Sequence, residues 1–220
     1  MLVFQLPLIE VPHGFGTKGF TVAGLSALGL NPRRVVFLKQ VHGSGVLILR
    51  QGDPLPDGPP PCDASITDRS DVILCVRTAD CIPLLLWDPL RGVVAAVHVG
   101  WRGLIRGVVR KAIEAAVHGF GSEAGELRAA IGPGIRACCY EVEGEVADVF
   151  RGRFGEGVLR RRRGHIFLDL PLALRVELES SGVEMLQEVP LCTSCYRSLF
   201  HSFRAEGTEG RQINFIAKGD

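Results

Sequence analysis

The chain has 220 residues, is 46% hydrophobic and carries a formal net charge of +1. That length fits one large domain or two small ones, with enough apolar content for a sizeable core. The near-neutral balance gives no support for a broad nucleic-acid footprint, and no apolar run approaches the length of a membrane span.

In chain order, the segment MLVFQLPLIEVP carries Pro7 and Pro12 and no basic leader, so it reads as a first strand rather than a signal peptide. Strand candidates follow at Val35–Leu38 and Val46–Leu49, then a Pro/Gly loop over residues 51–62. Asp71–Arg77, Ile82–Asp88 and Val93–Val99 are apolar runs bounded by turn residues, the pattern of buried strands. The clearest helix is Trp101–Phe120. Its stripe of Leu104, Ile105, Val108, Val109, Ala112, Ile113, Ala116 and Val117 opposes Arg102, Arg106, Arg110 and Lys111. Arg128–Ile131, Glu184–Val189 and Gln212–Ala217 are further strands, and a helix capped by Asp169 runs to Ser180. Arg160–Arg163 reads as a solvated turn. Neither a long linker nor a repeat divides the chain. The expectation is one domain, 1–220, of the α/β class with a mixed sheet.

Seven cysteines are an odd number in a chain too large to need staples, which points to a reducing, cytoplasmic compartment. Cys62 and Cys75 are adequately explained by packing. Cys138 and Cys139 are adjacent, so in an extended segment only one faces a given site. Cys192-x-x-Cys195 has the spacing of half a zinc knuckle or a redox pair, but no second such pair exists to complete four ligands.

The stretch AAVHVGWRG, residues 95–103, sets His98 at the end of a buried strand and Arg102 in the first turn of the next helix. A cation there opposes the helix dipole, and a bound anion such as phosphate would reconcile the two. His42 in LKQVHGSGV and Cys81 in RTADCIPLLLWD also stand at strand edges beside turns. Two imidazoles and a thiolate suit zinc with one open position, the pattern of a catalytic site. Cys81 with His98 equally suits a nucleophile and its base. Spacing alone leaves both open.

The blocks HGFGTKGF (13–20), LKQVHG (38–43), TADCIPLLLWDP (78–89), VAAVHVGWRG (94–103), AIGPGIRACCYEVEGEV (130–146), DLPLALR (169–175) and CTSCYRSLFHSFRAEGTEGR (192–211) span nearly the whole chain. By them it resembles the YfiH-type family of laccase-domain, or multicopper polyphenol oxidase, proteins related to purine nucleoside phosphorylase. The resemblance implies a zinc held by His42, Cys81 and His98, with Lys39, Gln40, Asp80, Arg102 and Arg204 around the substrate. It also implies a layered α/β/β/α fold like the cysteine-hydrolase domain of cytotoxic necrotizing factor. The implied activity is phosphorolysis of adenosine or inosine, with methylthioadenosine as a further candidate, plus some adenosine deamination; Glu141 is a weak candidate for the general acid. Two alternatives are implied: a cysteine-type amide hydrolase editing peptidoglycan precursors, and a copper oxidase. The second is disfavoured because the six histidines include no His-x-His pair. Partners are expected to be a nucleoside and phosphate, not nucleic acid or membrane, with a monomer favoured. Gly16, Lys18, Arg136 and Ala205 depart from the family's usual residues and bear on substrate preference.

Overall fold

The two longest apolar runs, Ile82–Asp88 and Val93–Val99, form adjacent antiparallel strands in which every residue is buried. A computed structural model describes residues 2–219 and places these strands at the centre of a mixed α/β fold. In chain order the strands begin with β1 (Val3–Phe4), β2 (His13–Gly16), β3 (Val35–Val36), β4 (Val46–Leu49), β5 (Ala64–Thr67), β6 (Ile73–Thr78), β7 (Ile82–Asp88) and β8 (Val93–Val99). Then come α1 (Trp101–Ile105), α2 (Val108–Phe120), β9 (Arg128–Ile131), β10 (Glu141–Val142), α3 (Gly144–Phe154), β11 (Leu159–Arg162), β12 (His165–Leu168), α4 (Leu170–Ser180), β13 (Met185–Glu188), α5 (Phe203–Glu206) and β14 (Gln212–Ala217).

One sheet has the order β13-β9-β7-β8-β5-β4, a second β1-β2-β14-β6-β3, and a small third β10-β12-β11. The continuous apolar runs of β7 and β8 exist because both faces of their sheet are covered. Leu84, Leu86, Val97 and Val99 share a cluster with Val108, Val109 and Ala112 of α2 and Ala173, Leu174 and Leu178 of α4. The alternate residues Leu85, Trp87, Val94 and Ala96 pack with Leu74 and Val76 of the second sheet. Leu85 is fully buried, so truncating it to alanine costs about 2–5 kcal/mol.

Three expectations need correction. The helix read as Trp101–Phe120 is two helices. Gly107, at φ +83°, donates its N–H to the Leu104 carbonyl and takes the backbone through the left-handed region, closing α1 before α2 begins. The arginine run is a strand as well as a turn: Leu159–Arg162 pairs antiparallel with His165–Leu168. Only Arg163 and Gly164, both at positive φ, make the hairpin turn. Its side chains are solvated as expected, with the Arg162 guanidinium over the Phe167 ring. Finally, Cys138 and Cys139 lie in a turn whose Cys139 and Tyr140 amides bond the Arg136 carbonyl, so the alternation of an extended strand does not separate them.

Candidate metal centre and its cavity

His42, Cys81 and His98 converge, with their ligand atoms all within 4.8 Å of one another. The Cys81 Sγ lies 3.8 Å from His42 Nε2, and the two imidazoles meet edge to face. Cys81 immediately precedes β7 and His98 sits at the end of β8, on paired strands that hold them side by side. Gly100 admits the third member. A Cβ there would stand 2.9 Å from His42 Cδ2 and 3.1 Å from Cys81 Sγ.

A residue that sequence reading missed organises the group. Asp63, fully buried, takes the amides of Val41 (3.2 Å), His42 (3.0 Å) and Gly43 (2.7 Å) on its carboxylate. Three successive amides can converge on one anion because His42 adopts φ +55° and curls the backbone into a nest. The same carboxylate lies 2.8 Å from His98 Nδ1. A carboxylate only accepts, so Nδ1 carries a proton and Nε2 is left as the nitrogen that would bind a metal once it gives up its own. Burial pushes the Asp63 carboxyl up, but the His98 bond and these amides outweigh it and keep it below its ordinary value. The sequence signal was thin: one aspartate between a proline-rich loop and an apolar strand.

Without a metal, the cluster separates charge internally. Burial alone would raise the Cys81 thiol; the His98 charge and the His42 hydrogen bond instead bring it down to about 6. Burial opposes the charged form of His98, yet Cys81 and Asp63 lift it to about 9.

The cluster forms part of the wall of a cavity of about 740 Å³, within the range of small-molecule sites. Lys39, Gln40, Asp80, Arg102 and Arg204 all line this cavity. Arg102 lies over the Trp101 ring, and Arg204 over Tyr140 with its guanidinium bonded to the Glu141 carbonyl. The Gln40 amide is already engaged, giving and taking hydrogen bonds with the Arg77 backbone at 2.7 and 2.8 Å. Asp80 is held at φ +83° by three contacts. Its carboxylate accepts from Thr193 Oγ1 and the Arg204 amide, both at 2.7 Å, and its carbonyl accepts from Ile135. Over-determination of this kind sustains an uncommon backbone conformation at a working site. Sequence reading also missed Arg77 and Arg211, which make the lining more cationic, and Tyr140. Glu141 is not brought to the cluster: it lines an adjoining recess and pairs with His165 at 2.6 Å.

Against known proteins, residues 22–218 match the family described as multi-copper polyphenol oxidoreductase laccase. A purine nucleoside phosphorylase of Streptomyces coelicolor is 36% identical over 195 residues, covering 86% of this chain and 77% of that protein. A purine nucleoside phosphorylase of Deinococcus radiodurans is 35% identical over 236 residues, covering 95% and 90%. The crystal structure of the Bacillus licheniformis hypothetical protein YfiH superposes with a TM-score of 0.87 at 27% identity, over 94% of this chain and 92% of that one.

Proposed function

Because the chain belongs to the family described as multi-copper polyphenol oxidoreductase laccase, several of whose relatives here are named purine nucleoside phosphorylases, we propose that it is a zinc-dependent purine nucleoside phosphorylase acting on adenosine or inosine. The observation that carries this reading is the His42–Cys81–His98 group in the wall of a nucleoside-sized cavity lined with cations. The donor set fits zinc: two imidazoles and a thiolate, close enough for one tetrahedral ion, with the remaining direction open to the cavity. When bound, the metal supplies Lewis-acid polarisation of a substrate oxygen or nitrogen.

The chain's own residues do the rest. Arg102, Arg204 and Lys39 hold the phosphate, and a phosphate oxygen bonds C1′ of the ribose as the bond from C1′ to the purine nitrogen breaks, that nitrogen taking up the proton that hydrogen phosphate gives up. Products are the free base and ribose 1-phosphate. Gln40 and Asp80 shape the wall, through the Arg77 backbone and the Arg204 segment respectively. We extend the reading to adenosine deamination as a side activity at the same site, with water replacing the C6 amino group and ammonia leaving, and to methylthioadenosine as a substrate of the same class. Glu141, paired with His165, receives no role.

A second reading has its own support. Cys81, His98 and Asp63 are arranged like the nucleophile, base and orienting carboxylate of a cysteine hydrolase acting on amides. Multicopper chemistry has no such support. Among the described residues, the groups able to hold a metal are this one and a cluster of four cysteines. The remaining histidines are engaged elsewhere or isolated; His13 bonds the Leu6 amide and the Val11 carbonyl.

We extend the reading to the whole chain as one domain, 1–220, with α/β/β/α layering like the cytotoxic necrotizing factor domain. We also assign it a monomeric, cytoplasmic existence, with the nucleoside and phosphate as partners rather than nucleic acid or membrane. No described helix is long and apolar enough to cross a membrane, and the described cysteines are free thiols.

The test is incubation with adenosine or inosine, with and without phosphate, followed by chromatography. Base and ribose 1-phosphate should appear together and only with phosphate. Phosphate-independent turnover with cleavage of an N-acyl or peptide substrate would replace this reading with the hydrolase.

A further inference from the structure

A second cluster of soft ligands lies on two loops that adjoin the cavity through Tyr140 and Thr193. Cys138, Cys139, Cys192 and Cys195 come from segments more than fifty positions apart, yet their sulfurs all lie within 4.8 Å of one another. Cys195 Sγ is 3.4 Å from Cys139 Sγ and 3.5 Å from Cys138 Sγ. A tetrahedron of thiolates ~2.3 Å from a central ion has sulfur–sulfur edges of about 3.8 Å. The four sulfurs are therefore close to the right separation for one ion. They are too close to embrace an iron–sulfur cluster, whose four cysteines are spread over two or four iron atoms rather than gathered on one.

The backbone is built for this as well. The Cys192-x-x-Cys195 turn closes on itself, with the Cys195 and Tyr196 amides donating to the Cys192 carbonyl. Its partner loop is joined to it by a parallel bridge between Gly134 and Cys192 and by the Thr193 amide on the Gly134 carbonyl. A reading of unused thiols does not explain four of them gathered at one point from two loops, two of them at the surface.

We propose that Cys138, Cys139, Cys192 and Cys195 bind a second metal ion, a tetrahedral zinc that pins the 134–140 and 192–196 loops together. The site is structural, since all four positions are filled by protein and none is left for substrate. Binding displaces the thiol protons to solvent and couples metal affinity to the folding of both loops. Its effect reaches the cavity through named neighbours. Tyr140, next to Cys139, lines the wall, and Thr193, next to Cys192, holds the carboxylate of Asp80. This inference stands apart from the reaction proposed above.

The experiment is metal analysis of the full chain, expressed with zinc available and purified under reducing conditions without chelator. The wild type should carry about two zinc ions per chain. The Cys138→Ser/Cys195→Ser double variant should lose about one while keeping the ion at Cys81, and Cys81→Ser should lose the other. Reconstitution with cobalt reads the same sites by colour: intense tetrathiolate absorption should persist in Cys81→Ser and vanish in the double variant. A variant-free check covers the case in which the double variant fails to fold. In the wild type the four sulfurs should resist iodoacetamide until a chelator is added, as read by peptide mass spectrometry. Unchanged metal content in the double variant overturns the proposal. So does stoichiometric iron at these cysteines, or ready alkylation of all four in zinc-loaded protein.

Discussion

Asp63 lies 2.8 Å from Nδ1 of His98, and the same carboxylate gathers the three amides that position His42. One buried anion thereby aims two of the three ligands of the candidate centre. Asp63→Asn preserves the shape but replaces one acceptor oxygen with a donor, so it cannot satisfy all four contacts. Zinc affinity at this centre should fall about 10–100-fold, the usual cost of losing the partner of a ligating histidine. Competition against a chromophoric chelator measures it, and an unchanged affinity would make Asp63 a purely structural residue.

Gly100 offers a test without loss of any polar group. Its φ of −86° is ordinary for any residue, so alanine meets no backbone penalty there. The new Cβ instead intrudes between His42 and Cys81, at 2.9 and 3.1 Å from their side chains. Gly100→Ala should lose metal and activity while retaining a thermal midpoint close to the metal-free wild type. Full metal content would show that the two ligands separate more freely than their packing implies.

Cys81 should answer differently to alkylation in its two states. Held by zinc, its thiolate is masked, and iodoacetamide should leave it unmodified. In metal-free protein its value of about 6 makes it a thiolate at neutral pH, so it should react quickly there. The sign follows from the lowered value: the rate is full well above pH 6 and falls as pH drops through it. A covalent substrate adduct on Cys81, or loss of activity on alkylation regardless of metal, supports the hydrolase.

Arg102 lines the cavity together with Lys39 and Arg204; α1 has only five residues, so its first and last turns overlap at Arg102 and the helix dipole does not oppose the cation as it would in the longer helix read from the sequence. Arg102→Ala should weaken phosphate binding by about 1.5–3 kcal/mol, on the order of tenfold to a hundredfold in KM for phosphate. Metal content should not change. Initial rates with phosphate as the varied substrate decide it, and unaltered kinetics would return Arg102 to an ordinary surface role.

The central strands and α4 were legible in the sequence because burial on both faces writes itself as a continuous apolar run, and because Asp169 caps α4 through its bond to the Leu172 amide. Cys81 and His98 were legible for a related reason, since each stands at or near the end of such a run; His42 does not stand at a strand edge as expected but lies in the loop between β3 and β4, and only the LKQVHG block singled it out. What tertiary structure decided was convergence. Gly107 broke a helix whose apolar stripe was uninterrupted, since periodicity records which face is buried and not where the axis turns. Asp63 is 35 positions from His98, and nothing local distinguishes it from a loop aspartate. The four cysteines looked incomplete because spacing counts only ligands near in sequence. Two loops bonded to each other bring a vicinal pair and a Cys-x-x-Cys turn to one point, and only the path of the chain through space sets that distance.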